Sequence, residues 1–289
     1  MFTEPKYITL SEPSNPAEPR HMAYYEIGEA NNANIVLCVH GLSRNGLDFE
    51  VLAQSLAPKY RVICPDMAGR GKSNWLTNKD GYNYYTYLAD ILLLINQLKI
   101  TKFDWVGTSM GGIIGMMLAA QYPQFFKKMV LNDVGSVVSA KGLNRILGYV
   151  GKQTVFANEA EAMTTLKSII TFFGISSEEQ WQQMFRASFV KLPDGRVAFA
   201  YDPEINKPFR ETALKGDAIT DVDLSAIWNA VQCPVLILRG AISDILTRET
   251  ANKMCERQIS TKLIEFAGVG HAPALLDENQ ITVIKDWLG

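Results

Sequence analysis

Lys102-Phe103-Asp104-Trp105-Val106-Gly107-Thr108-Ser109-Met110-Gly111-Gly112-Ile113-Ile114-Gly115-Met116-Met117-Leu118-Ala119-Ala120-Gln121-Tyr122-Pro123 decides the reading of this chain. Lys102 to Val106 is short and largely apolar, the composition of a buried strand. Gly112 to Ala120 reads as a helix closed by Tyr122-Pro123, because the residue before a proline resists helical geometry. The turn between them is Gly107-Thr108-Ser109-Met110-Gly111. So tight a turn needs small residues beside the serine. In return the hydroxyl stands clear of the sheet at the positive end of the following helix. The pentapeptide alone is a weak signal; its strand–turn–helix setting makes it a strong one.

The rest of the chain bounds what that serine can serve. At 289 residues one large α/β domain, or a core with an insertion, is accommodated. A charged content of 20% and a net charge of −2 argue against electrostatic capture by nucleic acid or an anionic membrane. Met1 to Tyr7 has no basic start followed by an apolar run, and no apolar stretch reaches the length of a bilayer span. Cys38, Cys64, Cys233 and Cys255 show no Cys-x-x-Cys pairing and read as small buried thiols of a reducing compartment. The three histidines are too few and too scattered for a zinc cluster, and no cofactor is expected. A cytoplasmic monomer or homodimer acting on a small molecule is the expectation.

Working outward, apolar runs recur at Ile35–Val39, Arg61–Cys64, Phe103–Val106, Met129–Leu131, Val235–Leu238 and Leu263–Phe266. Most are continuous rather than alternating, as parallel strands covered on both faces require. Tyr84, Tyr87, Leu88, Ile91, Ile95 and Leu98 repeat at helical spacing and are expected to face the core. Tyr7–Leu10 and Met22–Ile27 suit an antiparallel edge with a Pro-rich loop between them. The predicted fold is α/β, a mostly parallel doubly wound sheet. The alternation breaks from about Ser136 to Asp221. There Ser177-Glu178-Glu179-Gln180 looks like a capping box ahead of Trp181, Met184, Phe185 and Phe189, and Pro193-Asp194-Gly195 is a turn between two short extended runs. Residues 1–135 and 221–289 are therefore expected to form the core, and residues 136–220 a mainly helical cap over the edge where Ser109 emerges.

His40-Gly41, the run Asp66-Met67-Ala68-Gly69-Arg70-Gly71-Lys72-Ser73, the serine turn, Asp244 and Gly270-His271 together closely resemble the α/β-hydrolase superfamily, in its esterase, lipase and carbon–carbon hydrolase branch. The resemblance runs from about residue 22 to the C-terminus and is weakest in the cap segment. It implies the order Ser, acid, His. His21 and His40 precede Ser109, so His271 is the implied base. Two aspartates follow strands on the serine's edge of the sheet. Asp244 lies beyond the strand that precedes the histidine strand, the usual place in this fold, and is the expected acid. Asp133 is then a structural or pocket residue. The implied oxyanion donors are the backbone N–H groups of Met110 and Leu42. His40 is expected to support its loop.

The resemblance thus implies ester cleavage through an acyl-serine, on a small to medium apolar acyl substrate. Phe156, Phe172, Phe173, Trp181, Met184 and Phe185 are cap residues of which some are expected to face the pocket. A thioesterase, a lyase, or a carbon–carbon hydrolase of meta-cleavage diketones would use the same constellation. The diketone reading needs cationic cap groups, for which Arg145, Arg186 and Arg210 are candidates. A ligand receptor built on the same fold is the non-enzymatic alternative.

Overall fold

A computed structural model describes residues 2, 4–152, 154–208, 210, 218–257 and 260–289. Eight strands form the main sheet: β1 (Lys6–Glu12), β2 (Asn15–Ile27), β3 (Ile35–Val39), β4 (Arg61–Pro65), β5 (Phe103–Thr108), β6 (Phe126–Asn132), β12 (Val235–Gly240) and β13 (Thr261–Phe266). Their order is β1-β2-β4-β3-β5-β6-β12-β13. The antiparallel pairs are β1–β2 and β2–β4, and the other neighbours run parallel. The apolar runs from Ile35 to Leu238 thus became interior strands, as expected, whereas Leu263–Phe266 lies in β13 at the edge of the sheet. The Pro-rich stretch did not remain a loop: β2 extends back through it, and Pro19 pairs opposite Ser11. A residue without an N–H is tolerated there because β1 and β2 lie at the margin of the sheet.

Both faces of the sheet are covered. On one, α2 (Tyr84–Gln97) and α3 (Met110–Gln121) bury Tyr87, Ile91, Leu94 and Ile114 against Leu37, Phe103 and Trp105. On the other, α1 (Glu50–Leu56) and the C-terminal α9 (Glu278–Leu288) pack on Val36, Val106, Val130 and Leu236. Full burial of such side chains contributes roughly 1.5–3 kcal/mol apiece. Trp105 is fully buried, and its indole N–H donates to the Gly111 carbonyl at 3.1 Å. That bond ties the start of α3 to the strand that delivers Ser109.

Between β6 and β12 the chain leaves the sheet. The paired residues Val137–Val138 (β7) and Val222–Asp223 (β11) form a narrow two-stranded neck. Beyond it lie α4 (Ala140–Leu147), β8 (Val155–Phe156), α5 (Glu159–Ile169), α6 (Glu178–Ser188), β9 (Phe189–Lys191) and β10 (Val197–Phe199). The Ser177–Gln180 capping box is present at the head of α6. The turn near Asp194 joins β9 to β10, and β8 completes a three-stranded sheet. The chain re-enters the core through α7 (Ser225–Ala230), and α8 (Arg248–Cys255) lies between β12 and β13. Among the described residues no helix is long and apolar enough to cross a membrane. Cys38, Cys64 and Cys233 are buried and Cys255 is partly so.

Candidate active site

Strands β4 and β5 lie on opposite sides of β3, so the chain order reverses there and the loops beyond β3 and β5 open a crevice at their carboxyl ends. Ser109 sits in it, at the junction of β5 and α3, with φ of 51°. A left-handed backbone at a non-glycine residue is strained and persists only where its surroundings enforce it. Here the amide of Ser109 donates to the Asn132 carbonyl at 3.0 Å, and its own carbonyl accepts from Gly112 and Ile113. The flanking glycines are required by contact: a Cβ on Gly111 would lie 1.9 Å from the Val39 carbonyl oxygen, and one on Gly107 2.5 Å from that of Gly111.

His271 approaches from the loop after β13. Its Nε2 lies 2.9 Å from the Ser109 hydroxyl, and its Nδ1 lies 2.8 Å from Oδ2 of Asp133. An ionised carboxylate only accepts, so Nδ1 carries the proton and Nε2 is left to receive one from the serine. The expected partnership of His271 with Asp244 is not formed. Asp244 instead makes a bidentate ion pair with Arg145 of α4, at 2.6 and 2.8 Å.

The register explains the exchange. Asp133 directly follows β6, whose last residue, Asn132, pairs with Leu238 of β12. The carboxylate therefore enters the sheet edge beside Gly240, whose N–H donates to its Oδ1 at 2.8 Å. Beyond Gly240 the chain turns back, with the Ser243 N–H donating to the Gly240 carbonyl. This turn presents the Ser243 hydroxyl to Oδ2 of Asp133, as a donor, and carries Asp244 outward. Asp133 is fully buried and, like Ser109, has a positive φ, of 57°. The Arg145 guanidinium holds the Asp244 carboxyl below the usual carboxylate range.

Asn132 ties the three loops together. Its side-chain N–H group donates to the Thr108 hydroxyl at 3.0 Å and to the Pro273 carbonyl at 2.9 Å. Thr108 precedes the serine, Pro273 follows the histidine, and Asn132 itself precedes the aspartate. Neither Asn132 nor Ser243 was picked out in the sequence. A polar residue closing an otherwise apolar strand was the available signal for Asn132; for Ser243 there was none.

On the β3 side, His40 bridges two loops as expected of a support. Its Nδ1 is 2.8 Å from the Gly41 carbonyl, and its Nε2 accepts the Met67 N–H at 2.9 Å. Burial pushes this imidazole down to about 3, so it is neutral at physiological pH. The Asp66–Ser73 stretch also acts structurally. Asp66 accepts the amides of Gly46 and Lys72, and the buried Arg70 donates to the Leu42 carbonyl at 2.8 Å. Leu42 is thereby fixed beside Ser109. Met110, the first residue of α3, has an N–H with no preceding turn to bond to.

Two cavities meet at Ser109. The larger is lined by His271, by apolar residues such as Ile146, Leu166, Phe173 and Met184, and by Tyr149 and Tyr201. Of the cap residues expected at a pocket, Phe173 and Met184 line it; Phe156 is buried among Phe189 and Phe199. Its cation is Arg44, which is held by Asp48 on two hydrogen bonds and by the Ser188 hydroxyl. Arg145, Arg186 and Arg210 do not line it; Arg186 bonds Gln183 and Arg210 bonds Glu204. The smaller cavity is lined by Leu42, Ser109, Met110, Tyr84 and apolar side chains. Tyr84 was expected to face the core, and it partly faces this space instead. Among the described residues no group of His, Cys, Asp and Glu is arranged to hold a metal ion.

A family model described as alpha/beta hydrolase fold matches residues 34–278. The chain belongs to that family. It is 39% identical over 277 residues to a 3-hydroxybutyrate-oligomer hydrolase of Cupriavidus necator, covering 94% of each chain. Among solved structures it is similar to a putative hydrolase from Rickettsia typhi, with a TM-score of 0.91, 36% identity and 99% of both chains covered. An alpha/beta hydrolase from Novosphingobium aromaticivorans follows at TM-score 0.86 and 35% identity, over 99% of this chain and 98% of that one. The fold and family expected from the motifs are thus the observed ones, and the chain is a hydrolase of the α/β fold.

Proposed function

We propose that this hydrolase cleaves carboxylic esters through an acyl intermediate on Ser109, with His271 as the base and Asp133 as its orienting acid. The observation that carries the reading is the continuous run of contacts from the Ser109 hydroxyl through both His271 nitrogens to the buried Asp133. A serine hydroxyl attacks a carbonyl at neutral pH only if a base takes its proton during the attack. His271 Nε2 takes it, the new bond forms between the Ser109 oxygen and the carbonyl carbon, and the amides of Leu42 and Met110 stabilise the oxyanion. The imidazolium then protonates the leaving alcohol as the ester C–O bond breaks. Water, deprotonated by the same nitrogen, releases the acid. Residues 136–220 act as a cap that roofs the site.

The apolar wall of the larger cavity supports an ester over a diketone substrate, since among the described residues that line it the one cation, Arg44, is already paired with Asp48. The activity of the Cupriavidus relative supports esters of short hydroxy acids as the substrate class. Labelling with a fluorophosphonate, followed by mass spectrometry of the modified peptide, tests the mechanism. Ser109 is expected to carry the label, with p-nitrophenyl butyrate hydrolysis lost in proportion; inactivation without label on Ser109 overturns it.

A further inference from the structure

We infer that the smaller cavity is the acyl chamber and that Tyr84 recognises a hydroxyl group on the acyl chain, which makes 3-hydroxyacyl esters the preferred substrates. The inference rests on the ester reading above and concerns which half of the ester goes where.

The two cavities are distinguished by their walls. The leaving alcohol must receive a proton from His271 Nε2, so it lies where His271 lies. His271 lines the larger cavity and not the smaller one. Ser109 and Leu42 line both cavities, and Met110, the other residue proposed to supply an oxyanion amide, lines the smaller one. An acyl carbon bonded to Ser109, with its oxygen toward those amides, turns its leaving group toward His271 and its chain into the smaller cavity.

The wall of that chamber is apolar at Ile113, Val134, Val138, Leu147 and Ile245, and Tyr84 interrupts it. The Tyr84 hydroxyl has no hydrogen-bond partner among the described residues, and burial raises its pKa above that of an ordinary tyrosine. Its oxygen is absent from the sealed, partnerless atoms of the interior, which include Asn132 Oδ1 and Asp104 Oδ1. Tyr84 is part-buried and lines the chamber, which places its hydroxyl where a ligand in that space can meet it. Its neighbour on the helix, Tyr87, differs in this respect: that hydroxyl accepts from Arg70 at 2.7 Å. A plain acyl chain filling the chamber would leave the Tyr84 hydroxyl dry and unpaired, whereas a hydroxylated one pairs with it. Sites built to bond a substrate hydroxyl discriminate strongly against analogues that lack it.

The experiment compares kcat/KM for the p-nitrophenyl esters of 3-hydroxybutyrate and butyrate, on the wild-type chain and on Tyr84→Phe. The wild type is expected to favour the hydroxylated ester, and Tyr84→Phe to lower that preference by about five- to tenfold. A preference that Tyr84→Phe leaves unaltered, or an equal loss on both esters, overturns the inference. The 3-methoxybutyrate ester on the wild type gives a check that needs no variant: it should lose the advantage of the hydroxyl, and its retention also overturns the inference. Failure here is separable from failure of the ester reading. In the first case both esters are still hydrolysed and Ser109 still takes the fluorophosphonate; in the second, Ser109 takes no label.

Discussion

The loops after β6 and β12 stand side by side at one sheet edge, and each carries an aspartate. The β6 loop places Asp133 at the first position past the strand, fully buried, where Gly240, Ser243 and His271 all donate to it. The β12 loop places Asp244 at the fourth position past the strand, where it meets solvent and a guanidinium from α4. The longer loop does not supply the carboxylate. Its Ser243 and the last residue of β12, Gly240, supply two of the donors that hold its neighbour's carboxylate in place. Position past a strand fixes the edge a residue emerges on; the turn that follows fixes which way it points.

The largest effect that can break this contrast comes from neutralising each acid in turn. Asp133→Asn should lower kcat for p-nitrophenyl butyrate by about 10⁴, the scale of the same change in a serine protease triad, because the amide no longer enforces the tautomer of His271. Asp244→Asn should stay within about threefold of wild type, as substitutions outside the contacts of the reacting groups generally do. The opposite ranking, in proteins with unaltered circular dichroism, would return the role to Asp244.

A smaller change separates supplying the acid from steadying it. Ser243→Ala removes one hydrogen bond to a buried carboxylate and should cost roughly tenfold in kcat, with KM unmoved. A KM increase at constant kcat would instead place Ser243 in substrate binding.

The smallest effect belongs to the outward aspartate. The Arg145–Asp244 pair joins α4 to the core, and its partly exposed setting limits it to about 1 kcal/mol or less. Asp244→Asn should therefore lower Tm by only about 2 °C. Because Arg145 holds the Asp244 carboxyl below its ordinary range, the folded state favours the ionised form. That stabilisation is complete above the ordinary carboxylate value and is lost as pH falls through the depressed one. The Tm difference between wild type and variant should be constant from about pH 5 to 8 and shrink below about pH 4; a difference that persists in acid would show packing rather than charge to be its source.

Much of this was legible in the sequence because it depends on local pattern. Continuous apolar runs gave the parallel strands, the Gly107–Gly111 turn gave the position of Ser109, and a count of histidines after it left His271. The choice between Asp133 and Asp244 was not legible. It depends on the pairing of Asn132 with Leu238 and on the backward turn at Ser243, both long-range or conformational facts with no compositional mark. The same limit applied to Tyr84, whose helical spacing with Tyr87 and Ile91 correctly indicated a packed helix but could not show that its hydroxyl stands over a cavity. Similarly, β8 is only two residues long, too short to carry a periodicity, and it exists because β10 is there to pair with it.

The neck made by β7 and β11 bears on how such a chain can diversify. The polypeptide departs and returns through hydrogen-bonded neighbours, so the excursion begins and ends at almost one point in space. Lengthening, trimming or exchanging that loop of chain alters little in the entropy of closing it and asks nothing of the strands it springs from. A lineage can thus rewrite the proposed cap as a cassette while the sheet beneath it is inherited unchanged.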